Sequence, residues 1–248
     1  MVSRNIKFRT LLPAAFVLLG AAVFGVSQQP GDGKHNVRPE ASKPALPAAT
    51  SDQPPTSSAK FFYNFSQPEF FVHHIAIEHD ANGRGRITFE RLRQDTPIVE
   101  NIEISSAALA RINALWQSVG FLESGESYQS ERQYPHLGTS RLTIERESGK
   151  RTTEFNWTKH PDAGALVNEY RRVADQAILV FDISLARESQ PLNGPKLMEE
   201  MEILLKRNGL SDPKQLLPLL RDITSDEHLP LIARNHATRL IKKIENRK

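Results

Sequence analysis

The sequence predicts an α+β fold: an antiparallel sheet built from hairpins with helices packed on one face, followed by a small C-terminal helical subdomain. Three observations carry this reading. Short segments in which apolar and polar residues alternate come in pairs around turn residues. Stretches whose apolar residues recur at helical spacing follow them. Beyond Gln190-Pro-Leu-Asn-Gly-Pro195 the alternation stops and only helical patterns remain.

Folded character begins near Lys60, where aromatic residues arrive at 61, 62, 63, 65, 70 and 71. Between Phe70 and Asp80, Ile75 and Ile77 alternate with Ala76 and Glu78, the pattern of a half-buried strand. A second strand, Arg86 to Leu92, follows the turn Asp80-Ala-Asn-Gly-Arg-Gly85, in which Asn82-Gly83 tolerates positive φ. A third is expected over Ile98 to Ile104. Ser105 and Ser106 then cap a helix carrying Leu109, Ile112, Leu115, Trp116 and Val119, and Gly120 ends it. After a polar loop, 123–138, a second hairpin pairs Thr139–Glu147 with Arg151–Trp157 around Ser148-Gly149-Lys150. Both tryptophans, Trp116 and Trp157, sit in core-facing patterns and are expected to pack inside.

Pro161 and Asp162 open a long helix with one apolar stripe, Leu166, Tyr170, Val173, Ala174, Ala177, Ile178 and Phe181. Arg171 and Asp175, four apart, are placed to pair on its exposed face. Three more helices are expected, at 196–208, at 213–222 opened by Asp212-Pro213, and at 226–245 capped by Ser225. Pro230 falls early enough in the last to be tolerated.

Upstream of the fold, Arg4, Lys7 and Arg9 precede an apolar run from Leu11 to Val26. Residues 1–27 therefore read as a signal peptide or an N-terminal membrane anchor, with small Gly25 and Ser27 before a possible cut. Either outcome predicts an extracytoplasmic chain: periplasmic, secreted or held by a single N-terminal helix. Residues 28–58, rich in Pro, Ala and Ser, read as a disordered linker too poor in apolar residues to offset its ordering entropy. The folded part divides into an α+β domain, 59–188, and a helical subdomain, 195–246.

The chain has no cysteine, which removes disulfides, thiolate nucleophiles and Cys-containing metal sites. Net charge is +3 from 32 basic and 29 acidic residues; without Arg4, Lys7 and Arg9 the two signs balance at 29 each. That balance argues against nucleic acid as a partner. Six of the basic residues gather between Arg234 and Lys248, read as a solvated helix face or as a patch for an anionic surface.

The run Gly85-Arg-Ile-Thr-Phe-Glu, the block from Ile104 to Phe121-Leu122 with Trp116 inside it, and Leu142-Thr-Ile with Gly149-Lys150 and Phe155 resemble an uncharacterised bacterial exported domain family of unknown function. The resemblance spans about residues 70–185. It implies a hairpin, a helix ending in an aromatic pair, a second hairpin and a closing helix. Members of that family often carry a cysteine pair before the second strand; this chain does not, so no stapling or redox role transfers. The C-terminal helices are similar to a single HEAT-like unit, too few repeats for a solenoid.

No catalytic residue can be named from the sequence. On a strand His73 and His79 share a face but stand ~20 Å apart, and His74 points to the opposite face, so the three cannot chelate one ion and no metal site is expected. Asp80-x-Asn82-x-Arg84-Gly85 echoes a calcium loop but places cations where oxygens must bind. No cofactor is implied, because phosphate-binding and dinucleotide fingerprints are missing. The candidate binding surface is the 123–138 loop with Tyr128, Arg132, Tyr134 and His136, since aromatic and arginine side chains bury much area at small entropic cost. The reading is a non-enzymatic interaction module with a protein partner at the cell envelope, and with a membrane contact if the N-terminal segment stays uncleaved. Its alternative is an extracytoplasmic hydrolase with His136 or His160 near acidic side chains.

Overall fold

The computed structural model describes residues 59–247. The N-terminal segment 1–27 and the linker 28–58 lie outside the described residues. Six antiparallel strands, β1 (Lys60–Ser66), β2 (Val72–Asp80), β3 (Arg84–Arg91), β4 (Ile98–Glu103), β5 (Thr139–Arg146) and β6 (Gly149–Phe155), form one open sheet in the order β4-β3-β2-β1-β5-β6. Five helices follow or interrupt them: α1 (Ser106–Val119), α2 (Pro161–Ser189), α3 (Gly194–Lys206), α4 (Leu217–Ser225) and α5 (Leu231–Glu245). The fold is the α+β arrangement expected, with a helical C-terminal part.

The strand missing from the sequence reading is the one that unites the sheet. β1 lies between β2 and β5 and pairs with both, so it joins the two hairpins that the sequence signals separately. Phe61, Tyr63 and Phe65 face the core, whereas Phe62 and Asn64 between them are half-buried on the opposite face. The aromatic cluster at residues 61 to 65 is thus a period-two strand. The turn from β2 to β3 needs positive φ only at Gly83 (φ 80), because the Asp80 carboxylate accepts the Asn82 and Arg84 N–H groups and holds the rest.

One sheet face is polar and carries ion pairs such as Arg86–Glu78 at 2.9 Å and Arg141–Glu154 at 2.6 Å. The other face is apolar and is covered by α1 and α2. Ser105 caps α1, accepting from the Ala108 N–H, and Gly120 closes it in the left-handed region (φ 55). The core between sheet and helices is strongly aromatic: Tyr63 stacks on Tyr170 at 5.2 Å, and Phe61 on His79 at 5.0 Å. Each large side chain buried there stabilises by about 2 kcal/mol.

A second core forms where the C-terminal half of α2 presents Leu179, Ile183 and Ala186 to α3, α4 and α5. α2 therefore belongs to both cores, its first half to the sheet and its second to the helices. At the junction between them, Arg91 at the end of β3 donates two 2.8 Å hydrogen bonds to Asp182.

Two helix details depart from expectation. Ser225 ends α4 and does not cap α5, which begins at Leu231 with Pro230 as its cap residue. A proline disfavours helical backbone in the residue before it, so Leu229 cannot continue a helix into α5. The second concerns α2: Asp175 pairs with Arg207 of the α3 terminus at 3.4 Å, while Arg171 lies over the Phe65 ring at 5.1 Å. An arginine next to an aromatic face buries its stem there, which draws it away from the exposed pair that i,i+4 spacing suggests.

Candidate functional site

The 123–138 loop is held by three anchors before it shows any side chain to solvent. Arg151 of β6 donates to the Phe121 carbonyl, to Ser124 Oγ at 2.9 Å and to the Glu126 carbonyl at 2.7 Å, with its guanidinium over the Phe121 ring at 4.7 Å. Gln129 and Asn156 form the second anchor. The Asn156 N–H donates to Gln129 Oε1 at 2.9 Å, and Asn156 Oδ1 accepts from Gln129 Nε2 and from the Tyr134 N–H at 3.1 Å. Third, Gln67 Nε2 donates to the Pro135 carbonyl at 3.0 Å.

The four residues expected to make the binding surface divide between inside and outside. Tyr128 is buried; its ring lies between Phe121, Phe155 and His160, and its hydroxyl is 2.9 Å from Ser124 Oγ. It anchors the loop and is closed to a partner. Tyr134 and His136 come together at the surface, ring centres 6.0 Å apart. Arg132 is exposed on the same loop, and its carbonyl accepts from Ser130 Oγ at 2.8 Å.

Trp157 is the surface residue that the sequence reading placed in the core. β6 ends at Phe155, because the Asn156 backbone turns to meet Gln129; inward alternation therefore stops one residue before the tryptophan. Trp157 is 46% exposed and meets the Tyr134 ring at 5.6 Å, edge to face. Its carbonyl accepts the Ser130 N–H at 2.9 Å, tying loop and strand end together. Trp157, Tyr134 and His136 thus form one aromatic cluster on a clamped loop. Adjoining it on the polar sheet face is a trough of about 590 Å³ whose lining includes Asn64, Gln133, Arg141, Glu154 and Asn156. The alternation in the sequence runs on through Phe155-Asn156-Trp157, so no local signal marked Trp157 as a surface residue.

The histidines take separate roles. His160 caps α2, its Nδ1 accepting the Ala163 N–H at 3.3 Å, and its ring lies on Tyr128. His136 contacts Tyr134, and neither histidine forms an ion pair with a carboxylate among the described residues. His74 pairs with Glu90 at 3.1 Å on the polar sheet face. His79 is buried, with Nδ1 2.7 Å from the Asp80 carbonyl and Nε2 2.8 Å from the Tyr170 hydroxyl, which also accepts from Trp116 Nε1 at 3.0 Å. A carbonyl only accepts, so Nδ1 carries the proton and Tyr170 donates to Nε2. Burial pushes the His79 pKa down, keeping the ring neutral.

Among the described residues, no group of three or more His, Asp and Glu side chains could hold a metal ion, and no helix is long and apolar enough to cross a membrane. No protein family model matches this chain, and no curated protein matches it.

Proposed function

We propose that this chain is an extracytoplasmic, non-enzymatic binding module that recognises a protein partner at the cell envelope. Trp157, Tyr134 and His136 form its contact surface, with Arg132 beside them. The observation that carries the reading is the 46% exposure of Trp157 against the Tyr134 ring, on a loop clamped by Asn156, Gln129 and Arg151. Aromatic rings on a clamped loop lose little entropy on binding, and aromatic and arginine side chains dominate contact energies in protein interfaces. The extracytoplasmic part rests on the basic and apolar start of the sequence, Arg4 to Val26.

The test is capture from a solubilised envelope fraction by the immobilised full-length chain, repeated with Trp157→Ala, Tyr134→Ala and Arg132→Ala. A specific partner is recovered by the parent chain and lost with Trp157→Ala, while thermal unfolding of that variant stays near that of the parent. Undiminished recovery by all three variants overturns this surface. Full-length product with Met1 intact in the cytosolic fraction overturns the location.

A further inference from the structure

β4 is an edge strand, and a groove of about 550 Å³ runs along it between the sheet and α2. Residues Glu100 to Ile104 form one wall, and Val180, Phe181 and Leu185 of α2 with Leu219 of α4 form the apolar remainder. Register fixes which backbone groups of β4 are free. The Ile104 N–H donates to the Gly83 carbonyl on the β3 side, so Ile102, Glu100 and Ile98 direct their backbone groups toward β3. Glu103, Asn101 and Val99 direct theirs outward. Gln215 Nε2 already occupies the Glu103 carbonyl at 2.8 Å, and Gln215 is itself held by Gln176 at 2.9 Å. That relay closes one end of the groove and, among the described residues, leaves the outward N–H and C=O groups of Val99 and Asn101 as an unfilled ladder.

Charge selects what can fill it. Glu100 points toward the helix side of the sheet, as do Ile98 and Ile102, and Glu188 stands on the facing helix. Among the described residues neither carboxylate has an ion-pair partner, and β4 (Ile98–Glu103) contains two acidic residues and no basic one. A second copy adding its own β4 would bring like charges together in the groove, which disfavours self-pairing. An apolar slot rimmed by unneutralised carboxylates favours a segment whose groove-facing side chains, every second residue, include both lysine or arginine and β-branched residues.

We propose that this groove binds an extended basic segment of a partner protein, added to β4 as a seventh strand. The segment's backbone pairs with Val99 and Asn101. Every second side chain of the segment faces the helix side, so an apolar one enters between Ile102 and Phe181 and cationic ones two residues to either side of it reach Glu100 and Glu188. This site is separate from the aromatic cluster and does not depend on it.

The probe is a fluorescent peptide of about nine residues in which every second position carries lysine and valine in turn and threonine fills the positions between, titrated by anisotropy against the full-length chain. The same peptide with glutamate in place of each lysine is the control. The lysine peptide binds, the glutamate peptide does not, and added salt weakens binding. Glu100→Lys with Glu188→Lys weakens it by at least about tenfold. Val99→Pro removes only an outward N–H, which an edge strand tolerates, and weakens binding without unfolding the chain. Absence of lysine-peptide binding overturns the proposal, as does binding that both sets of substitutions leave unchanged. Binding lost with the lysine substitutions but kept in Val99→Pro overturns strand addition.

Discussion

The Tyr170 hydroxyl lies 2.8 Å from His79 Nε2 and 3.0 Å from Trp116 Nε1, so one hydroxyl of α2 serves both the sheet and α1. It donates to the first and accepts from the second, which leaves neither buried ring nitrogen unpaired. Tyr170→Phe keeps the ring stacked on Tyr63 but orphans both nitrogens. Leaving buried polar groups unsatisfied costs about 1–3 kcal/mol, so the variant unfolds at lower urea concentration with an unchanged slope.

His79 gives the same network a pH dependence. Its folded pKa is below the ordinary 6.5 because burial disfavours the imidazolium, an effect larger than the opposing pull of the Asp80 carbonyl and carboxylate. The unfolded chain therefore binds a proton at a pH where the folded chain resists it. Stability from this residue is fully present above about pH 6.5 and is lost as pH falls toward the folded pKa. In urea unfolding between pH 8 and pH 5, the parent chain loses stability through that window. His79→Phe shows a smaller loss, so the gap between the two narrows as pH falls.

Arg91 and Asp182 are coupled differently, because the arginine is the buried member: its side chain is 8% exposed, against 24% for Asp182. Phe71, Phe89 and Phe181 surround the guanidinium, and among the described residues its Nε has no hydrogen-bond partner. Asp182→Ala strands that cation and costs about 3 kcal/mol, whereas Arg91→Met with Asp182→Leu removes both charges and stays near the parent. A double variant as unstable as Asp182→Ala would show that the cost is lost packing and not an uncompensated charge.

The local part of this fold was legible in the sequence because its signals are local. Ser105 and Gly120 bracket α1, Pro161 opens α2, and Gly83 sits in the β2–β3 turn. β1 went unread as a strand, since no turn residue links it to β5, whose pairing partners are 73–85 positions away, as in Phe61 with Ile144. Pairing of that kind depends on topology and leaves no mark within one segment. The 123–138 loop was misread in a related way. Loop spacing cannot say which ring turns inward, so Tyr128 and Trp157 exchanged their expected places, one packing in the core and the other standing at the surface. Only Tyr134, His136 and Arg132 were recoverable as surface residues.

Glu202 of α3 fastens the last helix to the second core by charge. Lys243 and His236 of α5 donate to its carboxylate, the latter at 2.8 Å, and Lys206 adds a contact at 3.2 Å. These bonds, that from Lys243 foremost, pull the Glu202 pKa down to about 2 from an ordinary 4.5. Because the folded pKa is depressed, the stabilisation is present above pH 4.5 and disappears as pH falls toward 2. Both lysines stand largely in solvent, which limits the loss in Glu202→Gln to the order of 1 kcal/mol at neutral pH. Thermal unfolding at pH 7 places the variant below the parent, and the gap closes as the pH is lowered from 4.5 toward 2. A gap of constant size across that range would assign Glu202 a packing role, because packing does not titrate.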